Sequence, residues 1–297
     1  MTQIAILGPG GVGGFLAGAL DRAGEDVTIV AREETAEALA RDGLEVRSVR
    51  LGEFDARPRA VARLSDDVDV LVVATKSTGL EEALDRVIGE PGLVVPLLNG
   101  LDHLDLLRAR YGPRAVAGTI RIEGTRVATG VIEQTSPFLR IDLASDHPAP
   151  RPRMAQFVDV LRAAEVPARL GDTEAQVLWD KLVRLNAIAC TTSAWGVPLG
   201  EVRNHPRRRL LLEGAVEEAA AVAQSEGATI AVGTVMEEIY EAHAELVSSM
   251  ARDIEAGRPN ELDAIPGSVL RHAWRHGIEC PTIEELVELV RKRIDGR

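Results

Sequence analysis

Gln3-Ile4-Ala5-Ile6-Leu7-Gly8-Pro9-Gly10-Gly11-Val12-Gly13-Gly14-Phe15-Leu16-Ala17 is the stretch from which the fold is read. An apolar run of strand character passes into glycines at positions 8, 10 and 13, the G-x-G-x-x-G spacing, and an apolar helix follows at once. In such a unit the first glycine permits a tight turn and the second lets the backbone approach a pyrophosphate. The third lets the helix pack close to the strand. The helix then points its unpaired N–H groups and positive dipole end at the phosphates. The same glycines could form a turn without a ligand, but a second strand at residues 26–31 follows where a dinucleotide-binding unit needs it. Gly8, Gly10, Gly11, Val12 and Gly13 are therefore the candidate cofactor-contacting residues.

Working outward, the first half alternates strands with helices. Residues 68–74, Val-Asp-Val-Leu-Val-Val-Ala, and 92–98, Gly-Leu-Val-Val-Pro-Leu-Leu, are nearly all apolar, as buried parallel strands require. Shorter strands are expected at 44–49 and 59–61, with a helix near 35–42. This alternation predicts a doubly wound parallel sheet, whose ligands sit outside the carboxyl ends of the strands. Arg32, Lys76 and Asn99 all fall at such ends. From 115 to 143 short extended stretches separated by Gly124 and Gly130 read as extra strands finishing the sheet, with an antiparallel part.

After Gly171 strand signals vanish. Asp172 or Thr173 can cap a helix running through Lys181. Pro206 and Gly227 bracket another helix. Thr234-Val235-Met236-Glu237 reads as a capping box whose helix runs to Gly257, and Thr282-Ile283-Glu284-Glu285 as a box opening the last helix. The expected architecture is an α/β Rossmann-type N-terminal domain, residues 1–170, plus an all-α C-terminal domain, residues 171–297, with a small substrate expected in the cleft between them.

Composition narrows the function. A chain of 297 residues exceeds one compact core, which favours two domains. The net charge of −12 argues against nonspecific nucleic-acid binding, which needs a basic surface. No apolar run approaches a membrane span, and nothing resembles an export signal. Cys190 and Cys280 have no metal-type spacing, so reduced thiols in a cytoplasmic protein are expected. His272 and His276 are spaced to share a helix face, but no third ligand is recognisable and no metal is expected.

A dinucleotide domain recognises the adenosine ribose at the end of its second strand, where a carboxylate suits NAD and a basic residue suits the 2′-phosphate of NADP. Here that strand ends Val30-Ala31-Arg32, which favours NADP. Glu33 and Glu34 follow and weaken that reading, against which a solvated surface arginine is the lesser alternative. In the helical half, Lys181 shares a largely apolar helix face with Leu185, Ile188 and Thr192. Lysine seldom sits on such a face unpartnered, although its stem can cover apolar surface while its head reaches water. Ser248 and Ser249 read as late residues of the long helix that cap or bond the backbone locally. Glu261 reads as a favourable first-turn acid of the next helix.

Together these residues resemble the ketopantoate reductase family, the NADPH-dependent 2-dehydropantoate 2-reductases. The match spans Gly8 to Gly13, Arg32, Lys76, Asn99-Gly100, Trp179-Asp180-Lys181-Leu182, Pro198-Leu199-Gly200-Glu201-Val202, Ser248-Ser249 and Asn260-Glu261-Leu262-Asp263. The resemblance implies NADPH on the first domain and reduction of a small-molecule 2-oxo acid, ketopantoate to pantoate, in pantothenate and coenzyme A biosynthesis. It implies Lys181 as proton donor, Glu261 as its partner and a contact to the substrate hydroxyl, and Ser249 on the substrate carboxylate. It implies Asn99 near the nicotinamide and reacting carbonyl, and Lys76 on the cofactor side. A homodimer is one assembly to test.

The chain departs from that pattern where four pocket asparagines are replaced by Leu185, Ala189, Leu199 and Leu246. Asn186 stands one residue, about 100° of helix, from an expected asparagine, and Pro266 replaces a polar residue. A pocket less polar than the family norm is expected, and with it a more apolar 2-oxo acid as an alternative substrate. Two other readings compete. The β-hydroxyacid dehydrogenase type carries a glycine-rich stretch before its helical lysine, and residues 176–180 have none. A noncatalytic NADP-binding sensor would tolerate loss of Lys181 and Glu261, yet both are present.

Overall fold

The computed structural model describes residues 1–296, which divide into two compact units. One comprises Met1–Leu98 and His103–Val177, the other Asn99–Asp102 and the described residues from Leu178 onward. The first unit is built on five parallel strands: β1 (Gln3–Leu7), β2 (Asp26–Val30), β5 (Arg59–Val61), β6 (Val68–Val73) and β7 (Pro91–Pro96). Their order is β5-β2-β1-β6-β7, so the chain reverses direction across the sheet between β1 and β6. That reversal places the glycine turn after β1 beside the end of β6, where Gly8 N–H donates to Val30 O and Ala74 N–H to Leu7 O. Around this sheet lie α1 (Gly11–Arg22), α2 (Glu33–Asp42), α3 (Leu80–Leu84), α4 (His103–Tyr111) and α5 (Arg151–Ala163).

The later strands do not simply finish that sheet. β3 (Leu44–Ser48) and β4 (Gly52–Ala56, unread in the sequence) join β9 (Gly124–Ala128) and β10 (Val131–Gln134) in a separate sheet ordered β4-β3-β10-β9. β8 (Ala117–Arg121), β11 (Arg140–Ala144) and β12 (Ala168–Leu170) form a third, ordered β12-β11-β8 and bridged to β7 at Val94 and Ala115. The expected antiparallel part is present in both. The cause of the split lies in α1. Phe15, Leu16 and Leu20 are fully buried in the core shared with the parallel sheet. Its Gly11, Gly14 and Gly18 lie against the second sheet: added Cβ atoms there would come within 2.1 Å of Gly124 O, 2.5 Å of Ile132 and 2.6 Å of Val46. A stripe without side chains lets backbone and sheet meet where a larger residue would hold them apart.

The second unit is helical. Its elements are most of α6 (Glu174–Trp195), then α7 (Leu199–Asn204), α8 (Pro206–Ser225), α9 (Val232–Glu241), α10 (Ser249–Glu255), α11 (Ser268–Arg275) and α12 (Pro281–Asp295). α8 buries Leu212, Ala215, Val216, Ala219, Val222 and Ala223, the 3–4 spacing of one helix face. Two helix readings need correction. The helix expected from Thr234 to Gly257 is two helices, because the segment after α9 lends its backbone elsewhere: Ala244 O and Leu246 O accept from Gly200 N–H and Leu199 N–H. Arg203 takes the carbonyls of Ile239, Tyr240 and Ala242 and so ends α9. α12 is capped not by its own Thr282 but by Glu218 of α8, which accepts from the N–H groups of Thr282 and Ile283 at 2.8 and 2.9 Å.

Candidate functional site

In the first unit the candidate residues converge on the turn after β1, and its glycines divide by the reason for their presence. Gly8 has φ +95°, a conformation that side chains rarely adopt. A Cβ on Gly13 would lie 2.0 Å from Gly8 O, and one on Gly11 would meet Gly124 O. Gly10 is different: its φ is −76°, and the nearest atom to an added Cβ is Ala74 O at 4.0 Å. Neither conformation nor packing demands a glycine there. What it leaves is bare backbone at the N-cap of α1, a helix with no side-chain cap on its first turn. A pyrophosphate fits that cradle, because unpaired N–H groups and the helix dipole both favour an anion. Val12 is partly buried and packs against the core beneath.

Arg32 follows β2 at the N-cap of α2, exposed. Among the described residues it makes no side-chain hydrogen bond or ion pair. Glu33 and Glu34, which qualified its reading in the sequence, occupy the first turn of α2, where carboxylates complement the helix dipole. Lys76 is exposed two residues after Ala74, at the start of a short 3₁₀ turn, Ser77–Gly79. A depression of about 310 Å³ lined by Gln3, Asp26, Thr28, Arg59 and Asp66 lies at the amino ends of these strands, the edge opposite to where such sheets bind ligands.

In the second unit Lys181, Asn99 and Glu261 meet. Lys181 Nζ donates to Asn99 Oδ1 at 2.7 Å, and Asn99 Nδ2 donates to Glu261 Oε2 at 2.9 Å. Glu261 is 6% exposed, while Lys181 and Asn99 are half-buried. The sequence paired the lysine with the glutamate. The structure puts the Asn99 amide between them, with its carbonyl toward the ammonium and its NH₂ toward the carboxylate, the orientation in which both bonds are charge-assisted.

Ser249 is not joined to this group by a hydrogen bond among the described residues. It stands exposed at the first position of α10, not late in a long helix. Its neighbour Ser248 is the N-cap, accepting from Ala251 N–H at 3.1 Å and from Thr192 Oγ1 at 2.8 Å, which ties α10 to α6. Of the four replaced asparagines, Ala189 and Leu199 are fully buried and Leu246 nearly so, whereas Leu185 is half-buried. Asn186 is fully buried too, with its Oδ1 near Cys190 Sγ and its Nδ2 without a hydrogen-bond partner among the described residues. Burial pushes the Cys190 thiol up to about 12, and burial with Glu218 and Glu284 nearby pushes Cys280 up to about 11, so neither is a nucleophile near neutral pH.

His272 and His276 share a partner, the Glu226 carboxylate. Both bond Glu226 Oε1, at 2.7 and 2.8 Å, and His272 packs edge-on against Trp179. Among the described residues no group of His, Cys, Asp and Glu is placed to hold a metal ion. Sequence reasoning also missed Asp102, Asp263 and Arg271, an ion-pair group beside Asn99 and Glu261. Asp102 and Arg271 lie 169 residues apart, so no local pattern signals their meeting. No helix of the described residues is long and apolar enough to cross a membrane.

The chain is similar to known proteins over nearly its whole length. Residues 4–144 match the model of ketopantoate reductase PanE/ApbA, and residues 175–294 match its C-terminal domain. The chain is 30% identical over 303 aligned positions to a 2-dehydropantoate 2-reductase of Mycobacterium tuberculosis, covering 99% of both proteins. It is 27% identical to one from Pyrococcus abyssi, covering 94% of this chain and 93% of that one. A crystal structure of a 2-dehydropantoate 2-reductase from Geobacter metallireducens superposes with a TM-score of 0.90 at 28% identity, covering 98% of this chain and 99% of that one. A Rossmann-type α/β unit with a bare glycine cradle, followed by a helical unit carrying a lysine–amide–carboxylate chain, thus belongs to the ketopantoate reductase family of oxidoreductases.

Proposed function

We propose that this protein reduces a 2-oxo acid to the 2-hydroxy acid with NADPH, and that Lys181 is the proton donor. The Lys181–Asn99–Glu261 chain carries this reading. Bound NADPH would supply hydride to the carbonyl carbon. The carbonyl oxygen then develops alkoxide charge, and a positioned ammonium both stabilises that charge and delivers the proton. Asn99 Oδ1 accepts one ammonium N–H and so aims the others. The buried Glu261 carboxylate polarises the amide and balances the lysine charge nearby. Its second oxygen is suited to a substrate hydroxyl, and the exposed Ser249 hydroxyl to the substrate carboxylate.

The cofactor reading rests on the cradle at Gly8, Gly10, Gly11, Val12 and Gly13 and on Arg32, whose guanidinium has no hydrogen-bond or ion-pair partner among the described residues and suits the 2′-phosphate of NADPH. Lys76 is proposed to lie on the cofactor side, and Asn99 near the nicotinamide. By family membership the first substrate to try is ketopantoate, which would place the protein in pantothenate biosynthesis in the cytoplasm, with a homodimer to be tested by light scattering. Leu185, the one partly exposed replacement, favours a 2-oxo acid with a more apolar tail. The test is oxidation of NADPH, beside NADH, against ketopantoate, 2-oxoisovalerate and bulkier apolar 2-oxo acids. Turnover with any of them supports the proposal. Tight NADPH binding without turnover of any would leave a cofactor-binding sensor instead.

A further inference from the structure

The geometry points to Arg271 as a positioning residue that holds the Asn99 amide in place. The inference rests on the reading of Lys181 as proton donor. Asn99 and Glu261 come from segments far apart in sequence, and each has an acidic residue close behind it, Asp102 and Asp263. Arg271 grips both. Its Nη2 donates to Asp102 Oδ2 at 2.6 Å and to Asp263 O at 2.9 Å, and its Nη1 donates to Asp263 Oδ1 at 2.8 Å. A planar guanidinium can serve three acceptors on two segments at once, which a lysine ammonium matches poorly.

Two glycines mark how tightly these segments are drawn together. Gly100, with φ +84°, lies against the turn behind Glu261, where an added Cβ would come 2.0 Å from Ala264 O. A Cβ on Gly267 would come 3.0 Å from Asp263 Oδ1 and 3.1 Å from Arg271 Nη1, so that position too is kept clear for the ion pair. Residues Asp263–Gly267 form a wide π turn, in which Gly267 N–H reaches back to Leu262 O. Asn99 must satisfy Lys181 and Glu261 with one rigid amide, so a small displacement of its backbone breaks one bond or the other. Arg271 is 40% exposed and its partner Asp263 90%. Pairs so open to water add little to global stability, and holding Asn99 accounts for the arrangement better than stabilising the fold does.

The experiment is a comparison of Arg271→Met, Arg271→Lys, Asn99→Ala and the double variant Arg271→Met/Asn99→Ala, with the best 2-oxo acid of the panel. Arg271→Met should lower kcat about 10–100-fold, the size of an ångström-scale misplacement. NADPH affinity should stay near the parent value, the melting temperature should fall no further than in Asn99→Ala, and Arg271→Lys should recover part of the loss. The double variant should be no slower than Asn99→Ala alone, because both changes act on one unit. Asp102→Asn repeats the test from the other end should Arg271→Met fold poorly, and a crystal structure of either variant should show the Asn99 bridge broken. If kcat of Arg271→Met stays within twofold of the parent, if the losses multiply in the double variant, or if the bridge is intact in the crystal, the inference is overturned. Asn99→Ala and Lys181→Ala with undiminished turnover would instead overturn the reading beneath it.

Discussion

Lys181 reaches Glu261 through one side chain, the amide of Asn99, to which its Nζ donates at 2.7 Å. The proposed proton-donor centre is therefore a hydrogen-bonded chain of three residues, and its lysine and its amide should fail differently. Lys181→Ala should lose about 10²–10⁴-fold in kcat, the usual contribution of a positioned acid, with NADPH binding retained. Asn99→Ala should lose kcat and also stability, about 1–3 kcal/mol, because the buried Glu261 carboxylate is left without its donor. Steady-state kinetics and thermal melting separate the two.

The glycine turn allows binding and folding to be pulled apart. Gly10→Ala meets no atom closer than 4.0 Å, so its stability should match or slightly exceed the parent, as Gly→Ala changes do where the conformation permits. NADPH affinity should nonetheless fall by an order of magnitude or more. Gly8→Ala and Gly11→Ala should lower the melting temperature even without cofactor, the one from its positive φ and the other from its contact with Gly124 O. Equal melting temperatures for all three variants would count against this division.

Arg32→Glu should weaken NADPH far more than NADH, because it replaces a phosphate-seeking group with a carboxylate suited to a ribose hydroxyl. Isothermal titration with both cofactors measures this. A parent protein that binds both equally would remove Arg32 from 2′-phosphate recognition.

Substrate choice should respond to Leu185 and not to Ala189. Leu185→Asn offers an amide from a partly exposed position and should raise kcat/KM for ketopantoate relative to 2-oxoisovalerate by roughly one to two decades, the worth of 1–3 kcal/mol for a satisfied hydroxyl. Ala189→Asn places an amide at a fully buried site and should mainly cost stability. An unchanged ratio in Leu185→Asn would mean that this side chain does not meet the substrate tail.

The paired histidines give a pH signature. Burial pushes the Glu226 carboxyl up, but hydrogen bonds from His272 and His276 outweigh it and hold the group below its ordinary value of 4.5. A carboxylate with a depressed folded pKa contributes stability above its unfolded pKa and loses it as pH falls through the folded one. Glu226→Gln should therefore melt below the parent at pH 6–7, and the gap should close as pH drops well below the ordinary carboxyl value of 4.5. A gap independent of pH would show that the glutamate acts through packing alone.

How legible the chain was depended on the distance between partners. The strand, glycine turn and helix at Gln3 to Leu20 lie within one span, and Pro206 at the start of α8 is a local signal; both could be read directly. The cap of α12 could not, since the acceptor is Glu218, more than sixty residues away. The break between α9 and α10 comes from Arg203 and the amides of α7 claiming their carbonyls. In the candidate site, the family resemblance singled out Lys181 and Glu261, and the structure joins both to Asn99. The order Lys181–Asn99–Glu261 and the grip of Arg271 depend on which segments meet, and no periodicity encodes that.

The glycine stripe of α1 also sets a timetable. Its seat includes β10, Val131–Gln134, so the helix that begins at Gly11 cannot be fully mounted until residue 134 has emerged from the ribosome. At about 5–20 residues per second, more than a hundred residues of further synthesis take roughly 6–22 s. For that interval the nascent glycine turn and its strand exist without half of their support. The proposed cofactor cradle therefore becomes rigid only after strands more than a hundred residues further along the chain have been made.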